Sequence, residues 1–177
     1  MKYVCESIFH LLYPRLCAVC ETGLLAEEHI MCTRCLYDFP RTSYHSDDQN
    51  KTTKLLEGRF PLVRATSLFY YRKGSKYSNL IHELKYGNRP EFGNYLGMML
   101  GRELKTNHFD ESINAIIPVP LHTRRLKSRG YNQSMSIAEG LNKVTGIEIL
   151  DNVVARTHFT ETQTKKSKLQ RYENVNE

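Results

Sequence analysis

Pro118-Val119-Pro120-Leu121-His122-Thr123-Arg124-Arg125-Leu126-Lys127-Ser128-Arg129-Gly130-Tyr131-Asn132-Gln133 decides how this chain is read. The residues that lead into it, Ile113 to Val119, form an apolar run that reads as a buried strand. The two prolines lack N–H donors and force the chain out of the sheet. A basic loop follows, in which Arg124, Arg125, Lys127 and Arg129 lie close together and Gly130 permits tight backbone geometry. Asn132 and Gln133 then open a helix to about Val144, with Ile137, Ala138, Leu141 and Val144 inward and Gly146 as its C-terminal punctuation. In a parallel α/β sheet, ligands bind beyond the carboxyl ends of the strands. A helix N-terminus offers N–H groups to an anion there, and arginine suits bidentate phosphate contact. The stretch therefore points to a phosphate or pyrophosphate site. The alternative is a charged surface turn.

Working outward, Ile147 to Ala155 reads as a further strand and Ala65 to Tyr71 as an earlier one. Ser75 caps a helix to about Tyr86, whose apolar face is Tyr77, Leu80, Ile81 and Leu84; Gly87 ends it. Pro90 starts another, with Phe92, Leu96, Met99, Leu100 and Leu104 on one side. Strands alternating with helices imply an α/β domain with a parallel sheet. Residues 3–13 carry Val4, Ile8, Leu11 and Leu12 near helical spacing, ended by Pro14. The polar stretch Ser46 to Lys51 suits a linker. The expected division is therefore 1–45 for a helix and a cysteine module, 46–60 for a linker and 61–177 for the α/β domain.

The module is defined by Cys17-Ala-Val-Cys20 and Cys32-Thr-Arg-Cys35. Two C-x-x-C knuckles offer four thiolates to a tetrahedral Zn²⁺ and leave no open position, so the expected metal is structural. A redox dithiol pair and an iron–sulfur cluster are the competing readings. The region has few aliphatics, which suggests that the metal supplies folding energy that a core cannot. Cys5 lies outside the spacing and reads as a free packed thiol, and His10 and His29 as surface or core histidines.

The 177 residues carry a formal charge of +6. Residues 1–63 hold 7 Lys/Arg against 8 Asp/Glu, so the positive charge belongs to the remainder. A basic domain favours phosphates, nucleic acid or anionic lipid, or else simply presents a solvated face. No apolar run approaches the roughly 18–20 residues that span a bilayer, and the N-terminus lacks a secretory cleavage pattern. No membrane insertion is expected, and the protein reads as cytoplasmic. Residues Arg156 to Glu177 are polar and basic, and read as a lid over an anion or as a frayed tail.

These motifs together resemble the ComF family. The resemblance is carried by the double C-x-x-C, Leu84-Lys85-Tyr86-Gly87, Val119-Pro120-Leu121, Arg125, Arg129-Gly130-Tyr131-Asn132-Gln133, Arg156-Thr157, Thr160 to Gln163 and Arg171 to Val175. It implies a zinc-ribbon-like module before a type I phosphoribosyltransferase-like domain. The implied pyrophosphate positions are Val119, Pro120, Arg124, Arg125, Arg129, Gly130, Asn132 and Gln133. Arg156, Gln163, Lys168 and Arg171 fall in the implied flexible loop, and Lys85 is a further position to test. The implied partners are PRPP or another phosphorylated small molecule, or else single-stranded DNA and a competence helicase. Such proteins continue to an Asp-Asp-x-x-Thr-Thr-Gly loop that grips the ribose 5-phosphate of PRPP, whereas this sequence ends at Glu177. The domain is thus expected to be incomplete, with Mg²⁺ and PRPP bound only where that loop is present. No residue stands out as a catalytic base.

Overall fold

The computed structural model describes residues 14–58 and 61–159. The helix expected over 3–13, and Gln163, Lys168 and Arg171, lie outside them. The described chain is a mixed α/β structure: helices, a two-stranded parallel sheet and a four-cysteine cluster.

The first knuckle is a tight turn closed by an antiparallel bridge between Leu16 and Gly23. Cys17 N–H donates to the Thr22 carbonyl at 2.8 Å, and Glu21 adopts the left-handed φ of 60° that the turn needs. Ala18 N–H reaches the Ile30 carbonyl at 2.9 Å, which ties this turn to the second knuckle. Helix α1 (Thr33–Tyr37) begins at Cys32 and carries Cys35 inward. Glu28 holds its start: the carboxylate accepts from the Leu25 and Thr33 N–H groups and the Thr33 hydroxyl at 2.9, 2.6 and 2.8 Å. These bonds hold its pKa below the usual carboxylate value.

Within the 46–60 stretch expected as linker, the chain forms helix α2 (Lys51–Leu56). Its cap explains why. Asn50 is 3% exposed, and its side-chain oxygen accepts from Thr52 and Thr53 N–H at 2.8 and 3.1 Å. Its amide donates to the carbonyls of Tyr44, Asp47 and Ala65 at 3.1, 2.7 and 2.7 Å. One polar residue of this stretch, Asn50, is thus fully engaged with backbone groups.

Those bonds also explain why Ala65 to Tyr71 is not a strand. Its backbone pairs with the preceding loop, through Tyr70 N–H to Pro40 at 2.9 Å, Thr42 N–H to Leu68 at 3.2 Å and an isolated bridge between Arg41 and Phe69. Helices α3 (Ser78–Tyr86) and α4 (Pro90–Thr106) form where their apolar faces predict them. Strand β1 (Ala115–Ile116) is shorter than the apolar run 113–119, because the prolines that follow cannot donate to the ladder. Helix α5 (Thr123–Arg129), helix α6 (Gln133–Thr145) and β2 (Glu148–Ile149) complete the order. The two strands are parallel, with Ala115 opposite Glu148 and Ile116 opposite Ile149.

Helices α4 and α6 cross at backbone distance. Gly93, Gly97 and Gly101 face α6, and Gly140 faces α4. A Cβ at Gly97 would collide with the Ile137 carbonyl, one at Gly140 with the Asn94 carbonyl, and one at Gly93 with the Ser136 hydroxyl. The buried cluster does not stop at the helices. Val19, Ile30, Met31, Phe39 and the buried cysteines share it with Leu80, Leu84, Phe92, Leu96 and Met99. Tyr77 adds a buried hydrogen bond across that contact, donating its hydroxyl to the Cys35 carbonyl at 3.0 Å.

Candidate functional site

The four cysteines of the knuckles come together. Their sulfurs all lie within 4.8 Å of one another, with Cys20 and Cys32 at 3.6 Å. Sulfurs around a tetrahedral Zn²⁺ sit about 3.8 Å apart, so the donor set matches the ion in number, type and spacing. Backbone N–H groups of Val19 and Cys32 point at Cys17 Sγ from 3.5 and 3.3 Å, the arrangement that stabilises a thiolate. Hydrogen bonds from the Thr22 hydroxyl and backbone lower Cys20 to about 6. Cys35, by contrast, is pushed up by burial and by its crowded sulfur neighbours. A divalent cation reverses that penalty, since it favours the deprotonated form of every ligand at once. The cluster could therefore bind zinc.

The second site starts at the end of β1. Pro118 is buried, Val119 is exposed and Pro120 is half-buried. The Val119 carbonyl accepts from Asn132 Nδ2 at 3.1 Å, so the turn begins and ends on one bond. Between them the expected loop is the helix α5, capped by an imidazole: His122 Nδ1 accepts from Arg124 N–H at 3.2 Å. Gly130 ends α5 with φ 78°, and a Cβ there would lie 2.6 Å from Asn88 Oδ1. Tyr131 then pins the turn to α3, donating its hydroxyl to the Leu84 carbonyl at 2.5 Å.

Asn132 caps α6, accepting from Ser134 N–H at 3.0 Å. The buried Gln133 side chain accepts from Arg129 at 2.7 Å and donates to the Tyr131 carbonyl at 3.1 Å, which aims that guanidinium beside the helix N-terminus. Burial, with the charges of Arg129 and Arg156, lowers the pKa of Arg125 below the usual value. Arg129 thus lies at the start of α6, with the charges of Arg125 and Arg156 near enough to be felt. Arg124 is exposed on the same helix, and Lys85 is exposed beside Tyr86 on α3.

The chain is 35% identical over 101 residues to Competence protein F of Haemophilus influenzae, across 55% of this chain and 44% of that protein. It is 27% identical over 164 residues to DNA utilization protein YhgH of Shigella flexneri, and 26% identical over the same length to that of Escherichia coli K12, each across 91% of this chain and 68% of the relative. These matches support a ComF-family relationship. No family model and no solved structure matches it.

Among the residues on which the ComF resemblance rests, the structure brings together the four cysteines in one cluster, and Arg125, Arg129, Asn132 and Gln133 in another. It also adds features that the sequence pattern does not show. Gln133 accepts a hydrogen bond from Arg129, a contact hidden because glutamine after a cap reads only as a helix opener. Tyr86 places its ring 5.7 Å from the Arg129 guanidinium, and Phe159 lies 5.5 and 5.8 Å from those of Arg124 and Arg125. The aromatic Tyr86 and the guanidinium of Arg129 are far apart in sequence, so no spacing signals them. No helix among the described residues is long and apolar enough to cross a membrane.

Proposed function

We propose that this protein serves DNA utilization of the competence type, and that its basic turn holds a phosphate or pyrophosphate group as a phosphoribosyltransferase-type site holds PRPP. The names of its relatives support the first part. The observation that carries the second is the Arg129 guanidinium held by Gln133 at the N-terminus of α6, with the charges of Arg125 and Arg156 nearby. A polyanion there accepts from the Arg129 guanidinium and from the N–H groups at the start of α6. Val119, Pro120 and Gly130 shape the backbone around it. Lys85 on α3 is a further position to test, and the ComF resemblance adds Gln163, Lys168 and Arg171, which lie outside the described residues. Phosphoribosyl transfer at this site would release pyrophosphate onto these cations, which stabilise the departing charge. Residues 61–177 would form the phosphoribosyltransferase-like part, behind the module of residues 1–45.

The cysteine module holds one structural Zn²⁺ through Cys17, Cys20, Cys32 and Cys35. It closes the knuckles and fixes the face presented to α3 and α4. Metal analysis of purified protein tests this directly: one zinc per chain is expected, and none after Cys17→Ser with Cys32→Ser.

For the anion site the probe is inorganic pyrophosphate, titrated by calorimetry at fixed ionic strength. Micromolar to millimolar binding is expected, weakened about tenfold or more by Arg125→Ala or Arg129→Ala, the scale of a lost charge-assisted hydrogen bond. Binding that both variants retain in full would falsify the site. A second reading is favoured by the exposed rings beside the cations: the anion is then the backbone of single-stranded DNA handled with a helicase, and the protein is not catalytic.

A further inference from the structure

Two exposed rings flank the basic turn. Tyr86, 56% exposed at the end of α3, lies 5.7 Å from the Arg129 guanidinium and 5.1 Å from the His82 ring. Phe159, 44% exposed, lies 5.5 and 5.8 Å from the guanidiniums of Arg124 and Arg125, with the His122 ring edge-on at 5.2 Å. Each ring thus has positive charge against it: Tyr86 beside Arg129, and Phe159 beside Arg124 and Arg125.

That pairing of rings with cations selects among anions. Free phosphate or pyrophosphate uses the cations and leaves both rings idle in water. An acidic peptide does the same. A duplex offers phosphates but keeps its bases stacked inside. A single strand offers both halves: phosphates for the guanidiniums, and an open base face for each ring. Such stacking tolerates any sequence, because every base has a π-face.

We infer that Tyr86 and Phe159 are base-stacking residues for a single nucleic-acid strand whose phosphates lie on Arg124, Arg125 and Arg129. The inference rests on the DNA reading above and adds its site. It also makes a single strand and pyrophosphate rivals for Arg125 and Arg129.

The chain contains no tryptophan, which makes an introduced indole a clean reporter. Phe159→Trp keeps a ring in place, and its fluorescence is expected to fall as oligothymidylate is added. Fluorescence anisotropy with labelled oligothymidylate should show about tenfold weaker binding for Tyr86→Ala and for Phe159→Ala, within the range of one lost stack. The salt slope should stay unchanged in both, since neither removes a phosphate contact, whereas Arg125→Ala should reduce it by about one. Oligouridylate bound with equal affinity supports the inference and shows that the sugar is not read. Ring truncations that leave affinity unchanged overturn it, as does a duplex of equal length, or a polyglutamate of equal charge, that binds as well as the single strand. Pyrophosphate separates the two readings. Displacement of the oligonucleotide by pyrophosphate supports the shared cations. Protein that ignores pyrophosphate yet shows ring-dependent oligonucleotide binding loses the phosphate-site reading and keeps this one.

Discussion

Gly130 shows how far a single residue can be read in advance. Its place between a basic run and a helix start signals a tight turn, and it does take φ 78°. The sequence is silent on why the position is crowded as well: Asn88 Oδ1 stands 2.6 Å from where a Cβ would be. Gly146 supplies the comparison, with φ 76° and nothing within 4 Å of its virtual Cβ. Gly146→Ala should cost about 1 kcal/mol, the left-handed penalty alone. Gly130→Ala should cost distinctly more, about 2–3 kcal/mol, because Asn88 must also move. Urea unfolding measures both. Equal losses would mean that Asn88 does not press on Gly130. The cysteines were the most legible residues of all, because metal ligation demands particular side chains at particular spacings. Gln133 and Phe159 were the least, because their contacts with Arg129, and with Arg124 and Arg125, form only on folding.

At the scale of elements, apolar periodicity located α3, α4 and α6, since a buried stripe must repeat with the helix. It misses α5, whose Arg, Leu and Lys residues are good helix formers although their charge suggests a loop. It also missed the close crossing of α4 and α6, because glycine in a helix registers only as a propensity penalty. Gly97→Leu should destabilise the protein by about 3 kcal/mol or more, since it meets backbone at Ile137 and Gly140 that cannot rotate away. Gly101→Ala, where the Cβ presses on the Val144 side chain at 3.0 Å and meets the Leu141 carbonyl at an ordinary 3.5 Å, should cost less than half as much. Matching losses would show that the helices do not touch as described.

A different tie joins α4 to the segment before α2. Glu103 lies within 3.0 Å of Arg41 Nε and 3.4 Å of His45 Nδ1, close enough for ion pairing, yet neither of its buried oxygens has an aligned hydrogen bond. Burial raises its pKa, against the opposing pull of His45 and Arg41. A carboxyl whose pKa is raised by folding favours the folded state while protonated, and that contribution is lost as pH rises through the folded value. Glu103→Gln stays neutral throughout. The stability of the variant relative to the parent should therefore climb as pH rises from about 4.3, the ordinary glutamate value, and level off above the folded pKa. Denaturant midpoints from pH 4 to 8 measure it. A relative stability that falls across this interval would show that Arg41 and His45 outweigh the burial.

For the whole molecule, the decisive fact is that the cysteine module and the helices share one interior. A scarcity of aliphatics between residues 15 and 40 suggests a module held by metal alone. Yet Val19, Ile30, Met31 and Phe39 are buried against α3 and α4, and Tyr77 bonds to the Cys35 carbonyl. Sequence could not reveal this, because each of those side chains finds its partner across tens of residues. A zinc ion in the cluster then stabilises more than its own knuckles, since ligands that bind only the folded state stabilise everything that unfolds with them. Stripping zinc with a chelator should lower the melting temperature of the entire described fold in a single transition. Followed by far-ultraviolet circular dichroism, which reports mainly α3, α4 and α6, the loss should coincide with the release of zinc to a colorimetric indicator. If the helices instead melt at an unchanged temperature after the metal has gone, module and helices are thermodynamically separate, and the shared interior contributes too little to couple them.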